Sequence, residues 1–257
     1  MNILALGDVT DPKAIAYLRD KLWSFRRENK IDFAVVNAEN SNFIFGANAE
    51  QAGELLSAGA DVLTGGNHTM QNKLIFPTLE QSEQVIRPVN YPGTVPGSGY
   101  TILDCNGLRV LVINALGRMH IEPQLDGPVE CIERVLRRED GNFDLSILDF
   151  HAETTGEKGI VARYFDGRID IIFGTHTHVP TADERILPNG TAFITDLGMC
   201  GAVDSILGID CACVIEKYLT GMPTRYIPAS GEIRAQGAIF TYDESAHRVT
   251  QIRRISF

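Results

Sequence analysis

Five short apolar runs along the chain have the length and composition of buried β-strands. These runs cover residues 2–7, 32–37, 61–64, 145–150 and 169–173. Segments with helical character lie between several of them, which predicts a mixed α/β fold. Tyr100–Asp104 and Leu108–Asn114 flank the pair Asn106-Gly107, a strong signal for a β-hairpin. The last residues, from 232 onward, alternate around Asp243-Glu244 and predict a hairpin that closes the chain.

Three segments predict helices. Asp11 is a suitable N-cap, and Pro12 suits the first position of a helix. Apolar residues then recur at spacings of 3, 4 and 3, which predicts an amphipathic helix that ends near Asn29. Two further helices are predicted over Glu50–Ala58 and Val129–Arg138.

The organisation of the chain favours one domain. It has 257 residues, no internal repeat and no interdomain linker, so a single domain over residues 1–257 is predicted. The Pro- and Gly-rich stretch from 91 to 99 is expected to be a surface loop. No apolar run approaches the roughly 18 to 20 residues that span a bilayer, and no membrane association is expected. The N-terminus is typical of a first strand and not of a signal peptide.

The five cysteines include no CxxC pair. This pattern favours reduced thiols and a cytoplasmic protein, and argues against a disulfide scaffold or a thiolate zinc site. Cys211 and Cys213 lie two positions apart in an apolar segment. They are therefore expected to face the same side of a buried strand.

The formal net charge of −10 disfavours broad electrostatic binding to duplex nucleic acid. A small anionic substrate is still compatible with this charge, because bound cations can reverse the field inside a cleft.

Each of the five apolar runs is followed by residues that can bind a metal. In chain order these residues are Asp8, Glu39, Asn40, Asn67, His68, His151, His176 and His178. In open α/β sheets, ligands bind beyond the carboxyl ends of the strands, where several loops converge. The pattern therefore predicts one shared site.

The donor types of this set indicate the chemistry. Besides His68, the set holds two carboxylates, two amides and three imidazoles, with no sulfur, which suits Mn, Fe or Zn. Seven ligands are too many for one tetrahedral zinc ion but suffice for two metals that share a carboxylate. A metal pair about 3.5 to 4 Å apart suits phosphoryl chemistry.

Local features support this interpretation. Gly65 and Gly66 are expected to let the backbone turn sharply before Asn67 and His68. In an extended segment, His176 and His178 would project to the same side, toward adjacent metals.

Three acidic residues near these motifs have alternative roles. Glu153 or Glu157 could hydrogen-bond to a ligand histidine, or could begin a helix. Asp183 could orient a histidine or could begin the next strand.

The ordered motifs resemble the calcineurin-like metallophosphoesterases, and among them the YmdB family of bacterial cyclic-nucleotide phosphodiesterases. The matching blocks are GD at 7–8, NAEN at 37–40, GGNH at 65–68, DFHAETTGEK at 149–158, GTHTHVPTAD at 174–183 and TDLGMCG at 195–201. The chain departs from common superfamily patterns at Thr10, where many members have histidine, and at Thr69–Gln71, where Trp-Asp is common. These departures affect the expected shape of the substrate pocket and leave the proposed ligands unchanged.

The resemblance implies a four-layer α/β/β/α sandwich with two mixed sheets, and a role for each motif residue. Asp8, Asn40 and His178 would hold one metal, Asn67, His151 and His176 the other, and Glu39 would bridge both. His68 would be the proton donor to the leaving oxygen, a role that suits an imidazole. The two ions would be Fe and/or Mn, with Zn as another option.

The implied activity is hydrolysis of cyclic nucleotides, with 2′,3′-cyclic nucleotide phosphodiesters favoured, by in-line attack of a metal-bridging hydroxide. Two alternatives remain at this point. One is a phosphomonoesterase or 5′-nucleotidase that uses the same metals, and the other is a nucleotide-sensing regulatory protein with low turnover. A homo-oligomer is compatible with the sequence.

Overall fold

A computed structural model describes residues 1–43 and 45–257. The helices are α1 (Pro12–Glu28), α2 (Ala49–Ala58), α3 (Phe76–Gln81), α4 (Pro128–Arg138), α5 (Thr155–Tyr164) and α6 (Cys211–Thr220). The strands are β1 (Asn2–Leu6), β2 (Asp8–Val9), β3 (Phe33–Asn37), β4 (Val62–Thr64), β5 (Tyr100–Cys105), β6 (Leu108–Leu116), β7 (Leu145–His151), β8 (Ile171–Thr175), β9 (Arg185–Ile186), β10 (Ala192–Ile194), β11 (Met199–Ala202), β12 (Ile233–Asp243) and β13 (Arg248–Ser256). None of the helices in the described ranges combines the length and the apolar character that crossing a bilayer requires.

The strands form two mixed sheets. The first has the order β2-β11-β12-β1-β3-β4, with β13 paired to β12, and the second has the order β5-β6-β7-β8-β10-β9. Strands β1, β3 and β4 are parallel to one another, and β12 is antiparallel to β1. In the second sheet β6, β7, β8 and β10 are parallel, while β5 and β9 are antiparallel additions at its edges.

Three apolar clusters hold the layers together. Leu18 of α1 and Leu55 of α2 belong to the cluster on the outer face of the first sheet. Phe173 and Phe240 belong to the cluster between the two sheets. Ile132 of α4 belongs to the cluster on the outer face of the second sheet, together with residues of α5. This order of helices, sheet, sheet and helices confirms the predicted α/β/β/α sandwich.

Local sequence signals account for several elements. The side chain of Asp11 accepts a hydrogen bond from the backbone N–H of Ala14 at 2.8 Å, and Pro12 begins α1, as predicted. The turn between β5 and β6 holds Asn106 at φ 57° and Gly107 at φ 90°. Both residues tolerate this left-handed conformation, so the predicted hairpin is confirmed.

The prediction for Cys211 and Cys213 was wrong, since both lie in α6. Residues two positions apart on a helix point in widely different directions, so the two thiols do not share a face. Both are partly exposed, and no residue of α6 is buried. A short apolar run does not distinguish a strand from a helix, and the Asp210 side chain caps this segment by accepting from the backbone N–H of Ala212 at 3.0 Å.

The cluster between the sheets predicts a stability effect. Phe240 on β12 is fully buried, and its ring lies 6.4 Å from that of Phe173 on the opposite sheet. We expect Phe240→Ala to lower the free energy of unfolding by about 3 to 5 kcal/mol, because it removes apolar contacts and leaves a cavity. Urea unfolding measures the change. The control Tyr218→Ala, at a residue that is 87% exposed, should change stability by less than about 0.5 kcal/mol. Equal effects of the two substitutions would contradict this packing.

Candidate metal centre

The residues singled out in the sequence come together where strand ends of the two sheets meet. From the first sheet, Asp8 lies in β2, Glu39 and Asn40 follow β3, and Asn67 and His68 follow β4. From the second sheet, His151 ends β7, and the two remaining histidines follow β8. Strands of both sheets thus contribute to the place where these residues come together.

One group of side chains surrounds the amide of Asn40. Its Nδ2 lies 2.8 Å from Oε1 of Glu39 and 3.1 Å from Nε2 of His178. Nε2 of His178 lies 3.8 Å from Oδ1 of Asp8. These are the residues that the family resemblance assigns to one metal, together with Glu39.

A second group surrounds Nε2 of His151. This nitrogen lies 3.0 Å from Oδ1 of Asn67, 3.1 Å from Nδ1 of His176 and 3.4 Å from Oε1 of Glu39. Ligand atoms of Glu39, His151 and His176 all lie within 4.8 Å of one another, a spacing that suits a metal ion. Glu39 contacts both groups, as the bridging role implied by the family resemblance requires.

Unpaired oxygens in this region fit a cation. Asp8 is 0% exposed and Asn40 is 4% exposed. Among the described residues, Oδ1 of each is buried without a hydrogen-bond partner. A buried acceptor with no donor costs free energy, and a positive ion would offset that cost. The hard oxygen and imidazole donors present therefore fit divalent metals of the Mn, Fe or Zn type.

Burial and mutual charge dominate the protonation of these groups. Burial raises the pKa of Asp8. Burial also disfavours the ionised form of Glu39, but the neighbouring His151 and His68 outweigh it and lower the pKa of Glu39. Burial likewise disfavours protonated His151, but the carboxylates of Glu39 and Asp8 raise its pKa. For His176, burial together with the nearby His151 lowers the pKa to about 3.

Gly66 leaves the space in which the second group meets. A Cβ at this position would lie 2.4 Å from Oε2 of Glu39 and 2.4 Å from Nε2 of His151. Neither Gly65 nor Gly66 has a positive φ. The space left by the missing side chain, and not a left-handed backbone conformation, therefore accounts for glycine at position 66.

The segment that carries the last two histidines is not extended, contrary to the sequence expectation. His176 has φ 98° and His178 has φ 62°, values that are rare outside glycine. The backbone N–H of His176 donates to Oδ2 of Asp8 at 3.0 Å, and that of Thr177 donates to Oδ2 of Asp196 at 3.2 Å. These hydrogen bonds hold the strained segment in place.

A buried ion pair supports this segment from behind. Nζ of Lys158, on α5, lies 2.6 Å from Oδ2 of Asp196, and both residues are 1% exposed. Asp196 thus neutralises a buried ammonium and receives the backbone of Thr177, which explains its presence near the site without a role as a ligand.

In each of the three histidines, the ring nitrogen that lies away from the other candidate ligands makes a separate contact with the protein. Nδ1 of His178 lies 3.0 Å from the carbonyl oxygen of Leu207. Nε2 of His176 lies 3.0 Å from Oε2 of Glu153, so of the two roles weighed for Glu153, it has the histidine contact. Such contacts direct the opposite ring nitrogen toward a metal. The third contact, from Nδ1 of His151 to Oγ1 of Thr175, is 2.9 Å long.

Other residues near the motifs have structural roles. Glu157 lies in the first turn of α5 and accepts from the backbone N–H groups of Arg118 and Met119 at 2.8 and 3.0 Å. The hydroxyl of Thr10 donates to the carbonyl oxygen of Cys200 at 3.1 Å. Asp183 accepts from the hydroxyl of Thr195 at 2.6 Å, and its described partners include no histidine.

The backbone of His68 is fixed by a hydrogen bond, whereas, in the described part of the chain, Nδ1 of its ring is not. Its backbone N–H donates to Oε2 of Glu39 at 2.9 Å, which fixes the position of the residue. Among described residues its Nδ1 is buried without a hydrogen-bond partner. The ring is thus placed beside the two groups and is not tied to a structural acceptor through that nitrogen.

A buried polar group that was not predicted from the sequence lies behind the site. Asn37, Thr64, Asp149 and Thr175 are all buried, and their side chains contact one another. Burial raises the pKa of Asp149 to about 6. An asparagine and an aspartate inside otherwise apolar strand runs could have indicated this group in the sequence, because buried polar side chains require partners.

Comparison with known proteins places the chain in a family. The model of the YmdB-like protein family matches residues 4–255. The chain is 36% identical over 255 residues to a 2′,3′-cyclic-nucleotide 2′-phosphodiesterase of Bacillus subtilis strain 168, covering 99% of this chain and 96% of that protein. The resemblance to the YmdB family is therefore confirmed.

Solved structures agree in fold. The crystal structure of a phosphatase from Mycoplasma pneumoniae superposes with a TM-score of 0.92 at 30% identity, covering 100% of this chain and 93% of that one. A Staphylococcus aureus protein described as a 5′-nucleotidase superposes with a TM-score of 0.64 at 16% identity, over 99% of this chain and 54% of that one, and shows similarity of fold alone. The family match spans nearly all of the described residues and the whole metal-capable site, and the chain belongs to the YmdB-like protein family.

Proposed function

We propose that this chain is a metal-dependent phosphodiesterase that hydrolyses cyclic nucleotides, with 2′,3′-cyclic nucleotides as preferred substrates. The observation that carries the proposal is the convergence of seven metal-capable side chains in two groups that share Glu39. The similarity to the Bacillus subtilis phosphodiesterase supports the substrate class.

The two groups would hold two metal ions, most simply Fe or Mn. Asp8, Asn40 and His178 would bind one ion, Asn67, His151 and His176 the other, and Glu39 both. Bound cations would supply Lewis-acid stabilisation of phosphoryl charge and make water a better nucleophile near neutral pH. The chain itself supplies a rigid, largely buried frame, because most of these side chains come from or directly follow strands.

The chain also supplies a proton. His68 follows Asn67 directly and is anchored to Glu39 through its backbone N–H. The imidazole would donate a ring proton to the ribose oxygen that leaves phosphorus. A hydroxyl leaves far more readily than an alkoxide, so this transfer lowers the barrier.

Removal of this proton donor should separate catalysis from metal binding. We expect His68→Ala to lower kcat for a 2′,3′-cyclic nucleotide by about 10²- to 10⁴-fold, since general acid catalysis contributes that much. Elemental analysis should find the same metal content as in the unmodified protein. His247→Ala, at an exposed turn residue, is the matched control and should leave both quantities unchanged. Full activity of His68→Ala would remove this residue from the mechanism.

The space at Gly66 predicts the effect of one methyl group. We expect Gly66→Ala to weaken Mn²⁺ binding by on the order of tenfold or more, because the added Cβ would occupy space between Glu39 and His151. Retention of Mn²⁺ against a chelator measures the effect, and circular dichroism checks the fold. Gly53→Ala on α2 is the control, since a Cβ there meets nothing within 4 Å. If Gly66→Ala binds Mn²⁺ as tightly as the control, the proposed second group is not a metal site.

A substrate panel distinguishes the proposed activity from hydrolysis of monoesters. We expect kcat/KM for a 2′,3′-cyclic nucleotide to exceed that for a nucleoside 5′-monophosphate, as the similarity to the cyclic-nucleotide phosphodiesterase suggests. Phosphate release and nucleotide chromatography measure the two reactions in the Mn²⁺-loaded protein. Faster turnover of the monophosphate would favour a 5′-nucleotidase. Tight binding of nucleotide without turnover would favour a sensor.

A further inference from the structure

Four polar side chains form a buried group behind His151. Asn37 and Thr64 end β3 and β4 of the first sheet, and Asp149 and Thr175 lie in β7 and β8 of the second. We call these four residues the buried relay. Asp149 and His151 are 0% exposed, so bulk water does not compete for the hydrogen bonds that link them through Thr175.

The amide of Asn37 has a defined orientation. Its Oδ1 accepts from the backbone N–H of Glu39 at 3.1 Å. Its Nδ2 donates to the carbonyl oxygen of Gly65 at 3.1 Å and to Oδ2 of Asp149 at 2.9 Å. Those two hydrogen bonds use both amide hydrogens, so the longer approaches of Nδ2 to Thr175 (3.3 Å) and His151 (3.5 Å) carry no donated hydrogen.

Among the described residues, every hydrogen-bond partner of the Asp149 carboxylate is a donor. Oδ2 accepts from Asn37 and, at 2.5 Å, from the hydroxyl of Thr64. Oδ1 accepts from the hydroxyl of Thr175 at 2.7 Å. The single hydroxyl hydrogen of Thr175 is thereby committed to Asp149.

The commitment of this hydrogen decides which nitrogen of His151 is protonated. Oγ1 of Thr175 lies 2.9 Å from Nδ1 of His151, and having no second hydrogen it can only accept there. Nδ1 must therefore carry the proton. In the neutral ring, Nε2 then presents its lone pair toward Asn67, His176 and Glu39, where a metal would bind.

We propose that Asp149, acting through the hydroxyl of Thr175, is a positioning residue that fixes the tautomer and the ring orientation of His151. This inference rests on the proposed function, in that it assumes Nε2 of His151 to be a metal ligand. The other two histidines use simpler acceptors, the Leu207 carbonyl oxygen and the partly exposed Glu153 carboxylate. His151 is the most buried of the three, and the relay supplies the fixed acceptor that solvent does not.

Removal of the hydroxyl tests the relay. We expect Thr175→Val, which keeps the shape of the side chain, to weaken Mn²⁺ binding by about 10- to 100-fold, the usual effect of losing a contact behind a metal ligand. Thr175→Ser, which keeps the hydroxyl, should restore most of the affinity. The measurement is retention of Mn²⁺ by the full chain in competition with a chelator, without substrate. Thr101→Val, at a buried threonine of β5, is the control for the substitution itself and should bind Mn²⁺ like the unmodified protein.

Reversal of the hydrogen-bond direction is a sharper test. In Asp149→Asn, the amide oxygen should face the two donors Asn37 and Thr64, and the amide nitrogen should face Thr175. The threonine hydroxyl would then turn its hydrogen toward Nδ1 of His151 and place the ring proton on Nε2. We expect Mn²⁺ binding to weaken at least as much as in Thr175→Val. Both residues act on His151 through the same hydrogen bonds. Adding Asp149→Asn to Thr175→Val should therefore weaken Mn²⁺ binding little further.

A spectroscopic measurement keeps the proposal testable if a variant folds poorly. In the zinc-loaded chain labelled with ¹⁵N-histidine, the Nδ1 proton of His151 should give a downfield, slowly exchanging signal, retained in Thr175→Ser and shifted upfield in Thr175→Val. A signal at the position of a solvent-exposed imidazole proton in the unmodified protein would overturn the proposal. Additive losses of Mn²⁺ affinity in the double variant would also overturn it. Absence of cyclic-nucleotide turnover with normal Mn²⁺ binding would instead contradict the proposed function alone.

Discussion

Desolvation of negative charge where the two sheets meet is the constraint on which the site depends. Asp8 and Glu39 are almost completely buried, and burial disfavours their ionised forms. Histidines from the opposite sheet compensate part of that cost. In the part of the chain that the structure describes, Oδ1 of Asp8 and Oδ1 of the neutral Asn40 are buried without a hydrogen-bond partner, and each adds a cost that a cation would offset. Two bound cations, as proposed above, would complete this balance.

The layers of the fold make that arrangement rigid. Asp8 and His151 lie in strands, and the cluster between the sheets fixes the distance from one strand set to the other. The segment with His176 and His178 is the exception, because both residues have positive φ. Its backbone is held by Asp8 and by Asp196, whose charge is balanced by Lys158. Strain at the metal-capable loop is thus offset by a buried ion pair outside it.

The second contacts of the three histidines follow their burial. His176 and His178 lie nearer the surface and use a partly exposed carboxylate and a backbone carbonyl oxygen. His151 is fully buried and uses a threonine hydroxyl that is itself fixed by Asp149. The deeper the ring lies, the less water can orient it, and the more the protein must supply.

The sequence by itself determined the main elements, the order of the candidate ligands and the family. These follow from short-range patterns, such as the Asp11-Pro12 cap of α1 and the Asn106-Gly107 turn, and from motifs that each follow one strand. Periodicity alone did not determine the layering, which came from the family resemblance. Only the tertiary structure decided that strands of two sheets share the site, that Gly66 makes room for it, and that Asp149 lies behind His151. Those features depend on contacts between residues far apart in the chain, such as Asn37 and Asp149, which local patterns do not encode. The segment that holds Cys211 and Cys213 shows the same limit, since its short apolar run is equally compatible with a strand and with the helix that forms.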